Sequence, residues 1–160
     1  QVVPGISSCT SVAGLQQVPL TCRGVNESFW VVTGTTRSGA LSKDLPLAAQ
    51  SSASIVILMG IRKLPQIAQL FAEAGKADLP CMVVQNGSCK EEQYVLGTVS
   101  TIAERAATRG IGAPGIIYIG EVVRLHAAWT DYQTLSSPST SSDEHTSLKK
   151  SLIPHFSKTA

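Results

Sequence analysis

Arg23 could hold a charged ligand, because a guanidinium fork binds a carboxylate through two parallel hydrogen bonds. The alternative is a solvated surface arginine, which is what most arginines are. Ser7 and Ser8 follow a Pro4-Gly5 turn and precede a helical pattern. Hydroxyls and free N–H groups there can bind polar groups of a ligand, or simply cap the helix. Met59 ends an apolar run, where open α/β sheets place their ligands, although a methionine filling a gap in a core reads the same way. Gly87 follows another strand end, where a missing side chain admits a ligand to the backbone; an Asn86-Gly87 hairpin turn is the plainer reading. Acid–base and metal chemistry are thinly represented. Cys9, Cys22, Cys81 and Cys89 form no C-x-x-C pair, and no histidine stands at metal-ligand spacing from them. They read as reduced, partly buried small hydrophobes of a cytoplasmic protein, with no metal expected. His126, His145 and His155 receive no role.

The elements that must position these residues can be read from periodicity. Ser7 and Ser8 start a helix through Val12 and Leu15. Ser28–Thr33, rich in β-branched and aromatic residues, is a strand stopping at Gly34. Thr35–Lys43 is a loop and Leu45–Gln50 a short helix. Ile55–Met59 is a continuous apolar run that suits a strand covered on both faces. Leu64, Ile67, Ala68, Leu70 and Phe71 then recur at helical spacing, with Gly75 where a C-cap belongs. Cys81–Val84 is a second buried strand, Gln93–Gly97 its antiparallel neighbour, Thr98–Arg109 a helix and Ile116–Ile119 the last strand. The fold class is therefore α/β, a mixed, mostly buried sheet flanked by helices.

The 160 residues, 43% hydrophobic, suffice for one globular core. A net charge of +2 with scattered Lys and Arg gives no footprint for a nucleic-acid partner. No apolar run approaches the roughly 20 residues needed to cross a bilayer, so no membrane partner is expected. From about Trp129 the composition shifts, and the Ser/Thr-rich stretch 134–142 is too polar to bury. Residues 127–160 are accordingly expected to form a disordered tail, with at most a short helix over Leu148–Ile153. Arg62, Lys63, Arg105 and Arg109 read as solvated helix faces.

Seven landmarks stand in one order: Val3-Pro4-Gly5-Ile6-Ser7-Ser8, Val18-Pro19-Leu20-Thr21-Cys22-Arg23-Gly24, Val31-Val32-Thr33-Gly34, Ile57-Leu58-Met59-Gly60, Gln85-Asn86-Gly87-Ser88, Gly97-Thr98, and Pro114 through Leu125. Together they resemble the C-terminal portion of uroporphyrinogen-III C-methyltransferases, members of the tetrapyrrole methylase family, over residues 1–126. The resemblance implies methyl transfer from S-adenosylmethionine to pyrrole carbons of uroporphyrinogen III. Two transfers give precorrin-2, on the way to sirohaem and cobalamin. It further implies cofactor contacts at Ser7, Ser8, Met59, Gly87 and Gly115, a substrate contact at Arg23, no metal, and a homodimer. The family's N-terminal domain, with its Gly-x-Gly-x-Gly-Asp type segment, has no counterpart here, so the chain alone is expected to be incompetent. Two local departures stand out: Cys22 where the family usually has His, and Thr35 where it commonly has Thr-Gly-His. A related methylase with another substrate, or a non-catalytic binding or dimerisation module, are the alternative readings.

Overall fold

The computed structural model describes residues 1–136, so the expectations for 137–160, His145, His155 and the Leu148–Ile153 helix among them, lie outside it. Five strands form one sheet: β1 (Phe29–Thr33), β2 (Ser54–Leu58), β3 (Pro80–Gln85), β4 (Gln93–Thr98) and β5 (Gly115–Ile119). Their spatial order is β1-β2-β5-β3-β4. β1 and β2 are parallel, and β5 is antiparallel to both β2 and β3. β4 pairs antiparallel with β3, as its pattern predicts. β1, β2 and β3 thus run one way, β4 and β5 the other: the mixed α/β sheet expected from the sequence.

The continuous apolar runs follow from helices on both faces. Ile55, Ile57, Cys81, Val83, Val95, Ile117 and Ile119 point to one core. There they meet α2 (Leu45–Gln50), α3 (Leu64–Phe71) and α4 (Val99–Thr108), through Leu45, Ile67, Phe71 and Ile102. The intervening Val56, Met82, Val84, Leu96, Ile116 and Tyr118 point the other way, against Cys9, Val12 and Ala13 of α1 (Ser8–Leu15). Burial pushes the Cys81 thiol far up, leaving it a core hydrophobe as expected. Gly75 ends the α3 region in the left-handed conformation, φ +81°.

The packed body runs past His126, which corrects the tail expected from residue 127. α5 (Trp129–Ser136) folds back onto the second core, burying Trp129 and Tyr132. The physical reason is two large aromatics at i and i+3, which share one helix face. Tyr132 also receives Arg105, whose Cζ lies 4.7 Å from the ring centroid. Arg105 Nε donates to the Leu96 carbonyl at 2.7 Å, and Arg109 donates to that of Tyr94 at 3.2 Å. Neither is the free solvated arginine that helical spacing suggests; both tie α4 to β4.

His126 is the buried titratable group of this region. Its Nδ1 accepts the Ala128 N–H at 3.0 Å, so in the neutral ring Nε2 carries the proton. Nε2 donates to Gln16 Oε1 at 3.2 Å, and Gln16 Nε2 donates to Glu92 Oε1 at 2.7 Å. Burial lowers the His126 pKa below its ordinary value. The unfolded chain then binds the proton first as pH falls through about 6.5, so stability present near neutrality is lost below that pH. Urea midpoints should therefore drop between about pH 7 and about pH 5.5. In His126→Gln this acid-side drop should shrink; an unchanged pH dependence would contradict the assignment.

Candidate functional site

Because β1, β2 and β3 run together and β5 opposes them, the carboxyl ends of the first three and the start of β5 lie at one edge of the sheet. That edge carries Gly34-Thr35, Met59-Gly60, Asn86-Gly87 and Pro114-Gly115. β5 is inserted between β2 and β3, so the chain order breaks there, which is where open α/β sheets hold ligands. A cleft of about 820 Å³ opens at this point, within the range of small-molecule sites. Its lining includes Ser8 and Val12 of α1, Thr35, Met59, Asn86, Gly87, Pro114, Gly115 and Ile116.

Local bonding fixes each of these segments. The Asn86 N–H donates to the Pro114 carbonyl at 3.1 Å, and Gly112 N–H to Gln85 Oε1 at 2.8 Å. At the end of β2, Gly34 N–H donates to the Leu58 carbonyl at 2.7 Å and Thr35 Oγ1 to that of Met59 at 2.8 Å. Those two bonds hold Met59 at φ +55°, a conformation that costs a non-glycine residue about 1 kcal/mol or more. Met59 is 67% exposed, which rules out the reading of a core methionine. Asn86 is likewise left-handed, at φ +51°, a region asparagine tolerates. The turn it opens spans Asn86–Glu92 rather than two residues, so it is not the Asn-Gly hairpin.

The two candidate glycines are explained by close approach. A Cβ on Gly87 would lie 2.6 Å from Val12 Cγ2, and one on Gly115 would lie 3.0 Å from Ile61 Cγ1. Gly87→Ala must push the stiff Val12 side chain, and with it the start of α1, away from the cleft. The expected cost is about 1–3 kcal/mol, read from urea unfolding, together with loss of whatever ligand the cleft takes. An alanine variant as stable as the parent would contradict the packing described.

Four of the sequence candidates, Ser8, Met59, Gly87 and Gly115, meet in this cleft. Ser7 stands beside it as the residue before α1, its Oγ 2.9 Å from Cys9 Sγ and making no side-chain cap. Arg23 does not join them. Its turn is pinned by Asn26, whose Nδ2 lies 2.8 Å from both the Ser28 carbonyl and Ser54 Oγ. Ser54 begins β2 whereas Met59 follows its end, so five residues of strand, about 16 Å, separate the two regions. Arg23, the substrate contact implied by the resemblance, is exposed and stands at the opposite edge from the cleft. The departure at Cys22 lies there too, whereas the one at Thr35 lies in the cleft.

Sequence reasoning passed over Arg62 and Lys63, which line the cleft rather than a plain solvated face. The available signal was their place just after Met59-Gly60, in a short 3-10 turn (Ile61–Lys63) at the mouth of the site. Cys89, exposed, also lines it. Among the described residues no group of three or more His, Cys, Asp or Glu could hold a metal, and no helix is long and apolar enough to cross a membrane.

A mixed sheet with a cleft of this size at a break in strand order defines an α/β domain shaped to take a small molecule. Residues 1–103 match the tetrapyrrole (corrin/porphyrin) methylases, and the chain belongs to that family. It is 33% identical over 132 residues to a siroheme synthase of Psychrobacter cryohalolentis, covering 81% of this chain and 25% of that protein. It is also 33% identical over 127 residues to a uroporphyrinogen-III C-methyltransferase of Methanocaldococcus jannaschii, covering 78% of this chain and 52% of the relative. Among solved structures, the uroporphyrin-III C-methyl transferase from Thermus thermophilus complexed with S-adenyl homocysteine superposes with a TM-score of 0.64 at 29% identity, over 78% of this chain and 54% of that one. The chain thus spans about a quarter of the first relative and about half of the other two.

Proposed function

We propose that the cleft is this chain's share of an S-adenosylmethionine site, and that the intact protein methylates uroporphyrinogen III at two pyrrole carbons to give precorrin-2. The observation that carries the reading is the convergence of Ser8, Met59, Gly87 and Gly115, from four separate segments, on one cleft. The likeness to a C-methyltransferase structure complexed with S-adenyl homocysteine adds to it.

The cleft suits such a group. Gly87 and Gly115 let Val12 and Ile61 pack close against the strand ends that shape the cleft, and Ile116, Val84 and Pro114 offer apolar walls to a flat ring. Ser8 sits at the free N–H end of α1, able to bind a polar group. Met59, held outward by the Thr35 bond, contributes an exposed thioether face at the strand end. When bound, the sulfonium supplies an already activated methyl group. The residues here then have to align it with the ring carbon and keep water out.

The other wall of the site is read as lying in the N-terminal domain, since the matched C-methyltransferase is about twice as long as the match. The homodimer implied by the resemblance finds support in β1, an edge strand exposing Phe29, Trp30 and Val31. The test is methyl transfer from labelled S-adenosylmethionine to uroporphyrinogen III. The 160-residue chain alone should give no turnover, and the full-length gene product should give a doubly methylated product. Turnover by the chain alone would overturn the half-site reading. Cofactor binding without transfer by the full-length protein would favour a binding module, the outcome to which the Thr35 departure in the cleft points.

A further inference from the structure

We propose that Arg62 and Lys63 are the cleft's carboxylate-binding rim, the anchoring role that the sequence had suggested for Arg23. This rests on the reading of the cleft as a methyltransferase site. Both residues line the cleft, and no Asp or Glu lines it with them. Neither side chain has a hydrogen-bond or ion-pair partner among the described residues, where the ion pair found joins Arg124 to Glu121. They also stand immediately before α3, whose first turn holds no acidic residue, so they face the positive end of that helix uncompensated. Two unneutralised cations beside mostly apolar walls raise the local potential and draw anions inward. They would repel a sulfonium unless carboxylates accompany it. In this family's reaction two sources exist: the amino-acid end of the methyl donor and the eight carboxylates of uroporphyrinogen. Either would sit on the Arg62 fork or the Lys63 ammonium through charge-assisted hydrogen bonds. Arg62 is exposed and Lys63 half-buried, a placement suited to the periphery of a ligand rather than to its centre.

The experiment compares dissociation constants of three probes: uroporphyrin III, S-adenosylhomocysteine, and 5′-methylthioadenosine, which keeps the adenosine thioether without the carboxylate. Each is titrated into the full-length protein and its Arg62→Gln, Lys63→Gln and Lys43→Gln variants. Lys43 is exposed outside the cleft, and its replacement removes the same charge. The proposal expects about a tenfold loss for uroporphyrin III, for S-adenosylhomocysteine, or for both, in the Arg62 and Lys63 variants. The probe affected identifies the carboxylate's source. Methylthioadenosine should bind all four proteins alike. Equal losses for methylthioadenosine, or losses no greater than in Lys43→Gln, would overturn the proposal while leaving the cofactor reading standing. If the unsubstituted protein binds none of the three probes, the cofactor reading falls and the rim with it. Thermal melts of the variants should match the parent, since neither side chain bonds to the fold.

Discussion

Gly34→Ala is expected to destabilise the domain by about 3 kcal/mol, among the largest single effects available to a one-carbon change. The added Cβ would lie 2.5 Å from Gly60 Cα and 3.0 Å from Ile57 Cγ2. Real carbons do not approach so closely, and the nearest neighbour is backbone, which cannot turn aside as a side chain can. Relief requires the ends of β1 and β2 to separate, against the Gly34–Leu58 bond at 2.7 Å. That movement carries Thr35 and Met59 with it, so cofactor binding should fall along with stability. Gly14→Ala supplies the contrast. Gly14 lies within α1, and a Cβ there would meet nothing within 4 Å. The substitution should raise stability by roughly 0.5–1 kcal/mol. Urea unfolding of both variants, with the expected opposite signs, checks the close packing of the two strand ends. A neutral Gly34→Ala would contradict it.

Asn26→Ala is the second large effect expected, about 2–3 kcal/mol. Asn26 Nδ2 lies within 2.9 Å of the Leu20 and Ser28 carbonyls and of Ser54 Oγ, and its Oδ1 accepts the Cys22 N–H at 3.0 Å. One side chain thereby closes the 22–26 turn and fastens it to the starts of β1 and β2. Alanine would leave several partly buried polar groups without partners, and each such loss costs more than the bond itself contributes. Asn26→Asp keeps the acceptor and loses the donors, so it should recover little. Calorimetric melts of the two variants measure this; an aspartate variant as stable as the parent would show that the donor bonds carry no weight. Because the turn is remote from the cleft, ligand affinity of the folded variant should stay near the parent's.

These two residues mark where reading the chain by itself stops. The strands and helices were readable because burial imposes its own period: β2 and β3 are apolar at nearly every position since both faces are covered, and α3 repeats every three to four residues. The pairing of β3 with β4 followed from their closeness along the chain. The insertion of β5 between β2 and β3 did not, because it depends on long-range packing that no local pattern records. Ser8, Met59, Gly87 and Gly115 could be named together because of the resemblance. Their own chemistry left capping, core packing and a turn as equally good readings, and their meeting in one cleft depends on where β5 is inserted. That Arg23 stands at the edge away from the cleft was not readable, because side-chain chemistry says what a residue can bind, not which edge of the sheet it occupies. Arg105 and Arg109 looked solvated since helical spacing cannot reveal a carbonyl on a neighbouring strand. Asn26 gave no warning at all; an asparagine in a Gly-containing loop usually means only a turn.

The central claim is that the edge formed by Ser8, Met59, Asn86-Gly87 and Gly115 is a cofactor half-site. It is tested most directly by titrating S-adenosylhomocysteine into the isotope-labelled 160-residue chain and following backbone amide shifts by NMR, which detects even the weak binding expected of half a pocket. The account predicts saturable shifts grouped at Ser8, Met59–Lys63, Asn86–Ser88 and Gly115–Ile116, with the Cys22–Asn26 turn unmoved. Shifts centred on that turn, or none at millimolar ligand with the chain folded, would contradict it.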